Sequence, residues 1–238
     1  MKRFLSLVLV FLLTVGFSTS ALSINVSAAT EADLTFQLTE GGGSYYVFSC
    51  NRNASGYINI PAYYNGLPVT EIGESAFEGC AFITGVTIPD TVTLIGSCAF
   101  KDCGMLSDIY IPDSVNEIGR LIVAGTEYIN KDSNWQNDVL YCGRHLLNMR
   151  IEFSGSCRIK EGTKTIAWDA FASCIFLKSV VIPDSVIYIG CDAFHSCDSL
   201  VMVTLPQYRT EIESGLVAYC ISLSGITSPD SVTRIGEC

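Results

Sequence analysis

The chain has 238 residues, 49% of them hydrophobic and 16% charged, and a net charge of −10. An acidic balance of this size repels phosphate backbones and argues against nucleic acid as a partner. No polybasic run favours an anionic membrane surface either.

The first segment is read as processing rather than fold. Lys2 and Arg3 precede an apolar run from Phe4 to Val15, broken only by Ser6 and Thr14, and Val26-Ser27-Ala28-Ala29 follows. A basic start, a short apolar stretch and a small-residue site describe a secretory signal over residues 1–28. The run is shorter than the roughly 20 residues a membrane span needs. After cleavage about 210 residues remain, enough for one domain, with a net charge of about −12. The expected location is secreted or at the cell surface, with no membrane insertion after signal cleavage.

Residues 29–60 read as an N-terminal β cap. Thr35-Phe36-Gln37-Leu38, Tyr45-Tyr46-Val47-Phe48 and Tyr57-Ile58-Asn59-Ile60 alternate as strands do, separated by Gly41-Gly42-Gly43 and Asn53-Ala54-Ser55-Gly56.

From Pro61 to Cys238 a 23-residue step dominates. Cysteines keep it at 80 and 103, then at 174, 197 and 220. A Phe-type position (Phe77, Phe100, Val123; Phe171, Phe194, Val217) and an isoleucine (Ile72, Ile95, Ile118; Ile166, Ile189, Ile212, Ile235) keep it too. Such self-similarity signals a solenoid. Within one coil, Val86 and Ile88 alternate inward on a first strand. Pro89-Asp90-Thr91 turns the chain. Val92 to Gly96 is a second extended piece, whose glycine suits a sharp corner. Ala99-Phe100 and Cys103 then project inward from a tight helical or 3₁₀ turn. Stacking would bury Ile on Ile and Phe on Phe.

The chain holds eleven cysteines, which in an exported protein would ordinarily suggest disulfides. A cysteine locked to an apolar period instead behaves as a small core residue, so the five are read as free buried thiols. That reading implies a reducing or anaerobic habitat. A Cys142–Cys157 bridge is left open.

The pattern Ile-Pro-Asp-Ser-Val-x-x-Ile-Gly-x-x-Ala-Phe-x-x-Cys-x-x-Leu-x-x-Val resembles the BspA-like leucine-rich repeats of bacterial surface and secreted proteins. The resemblance covers residues 60 to 238. It implies a curved right-handed repeat rod, mainly β, with members implicated in adhesion. It implies no catalytic residues and no cofactor.

The period is interrupted once. An insert at about 128–158 contains Val139-Leu140-Tyr141 and His145-Leu146-Leu147 around Cys142-Gly143-Arg144, a hairpin-like arrangement. The repeat stops at Ile235-Gly236-Glu237-Cys238, before its Ala-Phe unit, which reads as a truncated chain or a piece of a longer one.

Chemistry finds little footing. His195 follows Phe194 at a position taken elsewhere by Glu78, Lys101 and Ala172, so it reads as an exposed, undemanding site. Cys142, His145 and Cys157 lack the fourth ligand of structural zinc. The recurrent Asp90, Asp113, Asp184 and Asp230 are explained by turn chemistry, and calcium needs six or more converging oxygens. Neither an enzyme nor a metal site is expected.

Binding is the better candidate. The outward strand positions are mostly small and polar; Tyr110, Val181, Ile187, Tyr188 and Met202 are the exceptions, joined by Trp135 and Tyr141 of the insert. Exposed apolar residues of this kind mark an interface. The alternative is that the insert covers and packs on them. The expected function is non-enzymatic protein–protein interaction or adhesion with an extracellular protein ligand. A surface glycan is the second ligand class, in a carbohydrate-binding or scaffolding module of a longer secreted protein.

Overall fold

A computed structural model describes residues 30–208, 211–212, 215–228 and 230–236; residues 1–28, expected from the sequence to be a signal, and Cys238 lie outside them. Each coil contributes one rung to each of two parallel ladders. The first ladder stacks Ser55–Asn59, Phe82–Thr87 and Asp108–Tyr110, with Ile58, Val86 and Ile109 in register. It starts again with Gly155–Arg158, Leu177–Val181, Met202–Thr204 and Gly225–Thr227, with Cys157, Val180, Val203 and Ile226 in register. The second ladder carries the isoleucine row, Val47, Ile72, Ile95 and Ile118, and then Leu146, Ile166 and Ile189.

The turn between the two strands is the expected one. Val92, Val115 and Val186 donate their N–H to Pro89, Pro112 and Pro183 at 3.0–3.1 Å. The third side of each coil runs back through the Phe position. Phe100 N–H donates to Ile122 and Phe171 N–H to Ala193 in the next coil. The core is therefore a set of columns, with Phe77 stacked on Phe100 at 5.0 Å and Phe171 on Phe194 at 4.8 Å.

The cysteine column has a use beyond filling space. Cys103, Cys197 and Cys220 donate to the carbonyls of Phe77, Phe171 and Phe194, one coil back, at 3.0–3.1 Å. A thiol is a weak donor, and here it adds a second bond at carbonyls such as Phe77 and Phe171, which already accept the Cys80 and Cys174 N–H. The ten described cysteines are free, so no Cys142–Cys157 bridge forms. Burial pushes the Cys103 and Cys174 thiols up to about 12.

Two expectations are corrected. The coil-corner glycines Gly96, Gly119 and Gly190 do not take the left-handed conformation. That conformation falls two residues later, at Ser75, Cys98, Leu121, Asp169 and Asp192, with φ of 55–57°. The glycines serve close approach instead: a Cβ on Gly119 would lie 2.4 Å from the Ser97 nitrogen. The ladders also begin inside the segment read as a cap. Tyr45–Cys50 and Ser55–Asn59 already pair in parallel with the following coils. Only Leu34–Leu38 is antiparallel, and it closes the open end. The extra length after Pro61 is a tight hairpin, Tyr63–Tyr64 against Leu67–Ile72, turning at Asn65 and Gly66 with φ of 47° and 81°. Positive φ at both central residues is what a type I′ turn requires, and Asn-Gly is its preferred pair.

Candidate functional site

Both ladders stop at the insert, and this break is the most distinctive surface of the molecule. Thr126 takes the cysteine position. Its hydroxyl donates to the Val123 carbonyl and accepts from Ile129 N–H, capping a single helical turn, Glu127–Asn130. Trp135–Gln136 then pairs with Val139–Cys142 through a two-residue turn, Asn137 and Asp138, both at positive φ. Val139–Cys142 pairs in turn with His145–Met149 across Gly143-Arg144, the hairpin expected from the sequence.

His145 pins this hairpin to the rod. Its Nε2 donates to the Pro112 carbonyl (3.2 Å), leaving Nδ1 to accept from the Thr165 hydroxyl (2.8 Å). With both ring nitrogens occupied, it is no metal ligand. Among the described residues no three His, Cys, Asp or Glu side chains converge. Burial, reinforced by Lys164 and Arg144, lowers the His145 pKa from 6.5 to about 4. The unfolded chain then binds more protons than the folded one between those two values. Stability is full above pH about 6.5 and falls as pH drops, by about 3 kcal/mol at pH 4. Urea unfolding at pH 7 and pH 4.5 should show this loss in the wild type and much less of it in His145→Gln. Equal losses in both would assign the effect elsewhere.

Between the hairpin and the restarted first ladder lies a half-open cleft of about 530 Å³. Gln136, Asn137, Val139 and Tyr141 form one wall, and Ser156, Cys157, Arg158 and Lys160 the other. The Tyr141 hydroxyl accepts from Lys160 N–H (3.3 Å), and the Lys160 ammonium sits 5.8 Å from the Tyr141 ring. Arg150 lies over the Trp135 ring at 4.6 Å and pairs with Asp132 and Asp138, while Trp135 Nε1 donates to Ile129.

The seven residues singled out from the sequence do not form one patch. Tyr110 (59% exposed) and Met202 (38%) stand on the outer face of the first ladder, with half-buried Val181 diagonal to Met202. Met202 lies over Gly225 and meets the Thr227 hydroxyl. Ile187 (57% exposed) belongs to the second ladder's side of the coil. Tyr188 is half-buried there, its hydroxyl accepting from Trp168 Nε1 at 2.7 Å. Trp135 is half-buried in the insert. Tyr141, expected on the surface, is only 7% exposed. The hairpin lies face down on the rod: Tyr128 donates its hydroxyl proton to the Tyr141 carbonyl, and the coil beyond takes the Tyr141 hydroxyl.

One exposed apolar row escaped the sequence reading. Phe82, Met105 and Phe176, each two residues past a ladder cysteine, are 54%, 54% and 52% exposed. The 23-residue step that places Phe82 and Met105 was visible. Attention to strand faces alone passed over this corner. His195 is half-buried rather than open, edge-on to Tyr219 at 5.1 Å.

A model of the BspA type leucine rich repeat region matches the chain in six copies, over residues 44–147 and 155–238. No curated protein matches it. Among solved structures it is similar to a leucine rich repeat protein of T. pallidum, with 25% identity and a TM-score of 0.46, covering 88% of this chain and 86% of that one. It is also similar to a leucine-rich repeat protein from Bacteroides ovatus, with 28% identity and a TM-score of 0.42, covering 86% of this chain and 54% of that one. The pneumococcal vaccine antigen PcpA aligns at 16% identity with a TM-score of 0.43, over 89% of this chain and 78% of that one.

Proposed function

This chain belongs to the BspA-type leucine-rich-repeat family, and from that premise we propose that it is an exported protein that binds protein ligands outside the cell. The observation that carries the reading is the set of apolar side chains left on the outer faces of the ladders. Tyr110, Ile187 and Met202 are 59%, 57% and 38% exposed, and the first ladder adds Tyr57 at 42%. Large exposed apolar side chains on a repeat surface mark contact sites, and aromatic anchors tend to dominate interface energy. The basic start and apolar run of residues 2–15 support export. No helix among the described residues is long and apolar enough to cross a membrane.

The test is capture of the purified protein on a panel of immobilised extracellular-matrix and microbial surface proteins. Tyr110→Ser with Met202→Ser should weaken capture by about tenfold or more, as loss of interface anchors does. Undiminished capture by the double variant would overturn the assignment of these faces. Capture by a glycan array in place of any protein would overturn the ligand class.

A further inference from the structure

The restarted first ladder has an unpaired edge, and that edge faces the cleft. Gly155–Arg158 pairs on one side only, with Leu177–Val181. Gly155 N–H donates to Phe176 and Ile159 N–H to Val181, so residues 155, 157 and 159 turn their backbone groups toward the next coil. Alternation along the strand turns the N–H and C=O of Ser156, Arg158 and Lys160 the other way. Lys160 bears this out, since its N–H is the one met by the Tyr141 hydroxyl. Ser156 and Arg158 point into the cleft, where no strand pairs with them.

In Phe82–Thr87, Asp108–Tyr110, Leu177–Val181, Met202–Thr204 and Gly225–Thr227 this position is filled by the strand of the preceding coil; Ser55–Asn59, which begins the first stack, shares the open side. Here the preceding first-ladder strand, Asp108–Tyr110, is covered by the hairpin instead, with the Cys142 thiol donating to the Ile109 carbonyl at 3.4 Å. An open edge is a template for another strand. At about 530 Å³ the cleft is within the range of ligand sites.

The charges around it select the occupant. Between Arg144 and Lys164 stand five of the chain's 14 basic residues and only two acidic ones, in a protein of net charge −10. Arg144 and Arg150 are engaged with Asp113, Asp132 and Asp138. Arg158 and Lys160 have no acidic partner among the described residues, are exposed, and lie two apart on the outer face of the edge strand. An added strand places alternate side chains on that same face.

We propose that the cleft is a strand-addition site for an extended peptide segment carrying acidic side chains at alternate positions. Main-chain bonds go to Ser156 and Arg158, and carboxylates meet Arg158 and Lys160. This rests on the reading of the chain as a protein-binding rod and names the chemistry of one partner segment.

The probe is an N-acetylated octapeptide alternating threonine and glutamate, titrated into the purified protein and followed by amide NMR and hydrogen exchange. Binding should shift and protect the Ser156 and Arg158 amides. The same peptide N-methylated on alternate residues should lose binding, because it cannot continue the ladder. Arg158→Glu with Lys160→Glu should weaken the glutamate peptide by about tenfold or more and favour a threonine–lysine peptide. The charge-swapped peptide keeps the test informative if the variant is less stable. Binding that leaves the Ser156 and Arg158 amides unmoved, or survives N-methylation, would overturn strand addition. So would binding of an oligogalacturonate in place of the peptide, or no binding at all. The broader reading fails separately, in the surface-protein capture, which depends on Tyr110 and Met202 rather than on the cleft.

Discussion

Phe100→Ala should destabilise the protein by about 3–5 kcal/mol, the range for emptying a buried aromatic site. The ring is fully buried and stacked on Phe77 at 5.0 Å with planes 26° apart. On its other side the column passes to Val123, 3% exposed, which is too small to fill the void. A solenoid coil contacts only its neighbours, so one missing ring loosens two interfaces. The comparison is Phe176→Ala, whose ring is 52% exposed and should change stability by about 0.5 kcal/mol or less. Urea unfolding with m-values held in common would show the contrast. A loss below about 1 kcal/mol for Phe100→Ala would mean that the Phe column is not the core of the rod.

Gly119→Ala should be nearly as damaging, at about 3 kcal/mol, for a different reason. The added Cβ would stand 2.4 Å from the Ser97 nitrogen and 2.7 Å from its Cα. Both are main-chain atoms of the preceding coil, so no side chain can swing aside and the coils must separate. Gly96 meets the coil before it in the same way, at 2.6 Å from the Glu74 nitrogen. The chain contains its own control. In the coil after the insert this position is Ala167, whose N–H bonds to Leu146 of the hairpin instead of to a regular coil. Gly104→Ala, with nothing within 4 Å, should be close to neutral. Similar melting of Gly119→Ala and Gly104→Ala would show that coil spacing is not limited by this contact.

The stacking was legible because it reuses one side chain per coil. A column of Phe or Ile in space is a column of Phe or Ile at a fixed step in sequence. Where geometry depends on two distant segments, that correspondence fails. The step from Val47 to Ile72 is off the period because the Asn65-Gly66 hairpin lengthens the first coil, so Tyr45–Cys50 looked like a separate cap. The corner glycines read as suited to a sharp corner, whereas their reason is a main-chain neighbour 22 residues earlier, in the preceding coil. Of the proposed binding surface, Tyr110 and Met202 could be placed from strand alternation alone. The burial of Tyr141 could not, since it depends on bonds to Tyr128 and Lys160 that no local pattern announces. The cleft was hidden most completely. It exists because a strand is missing between two stacks, and nothing in residues 155–158 themselves says that their preceding partner is absent.

The break in the ladders also bears on how the rod comes apart. Buried side chains form one continuous core across it, yet neither row of backbone bonds runs through. Among the few direct main-chain links is Trp168 N–H to the Ile118 carbonyl, at 3.1 Å. Cooperativity in a one-dimensional array passes from coil to coil through such interfaces. The rows of backbone bonds thus form two stacks in series, joined by the shared core, the Trp168–Ile118 bond and the hairpin pinned by His145. Fraying that starts at one end should meet its weakest link there.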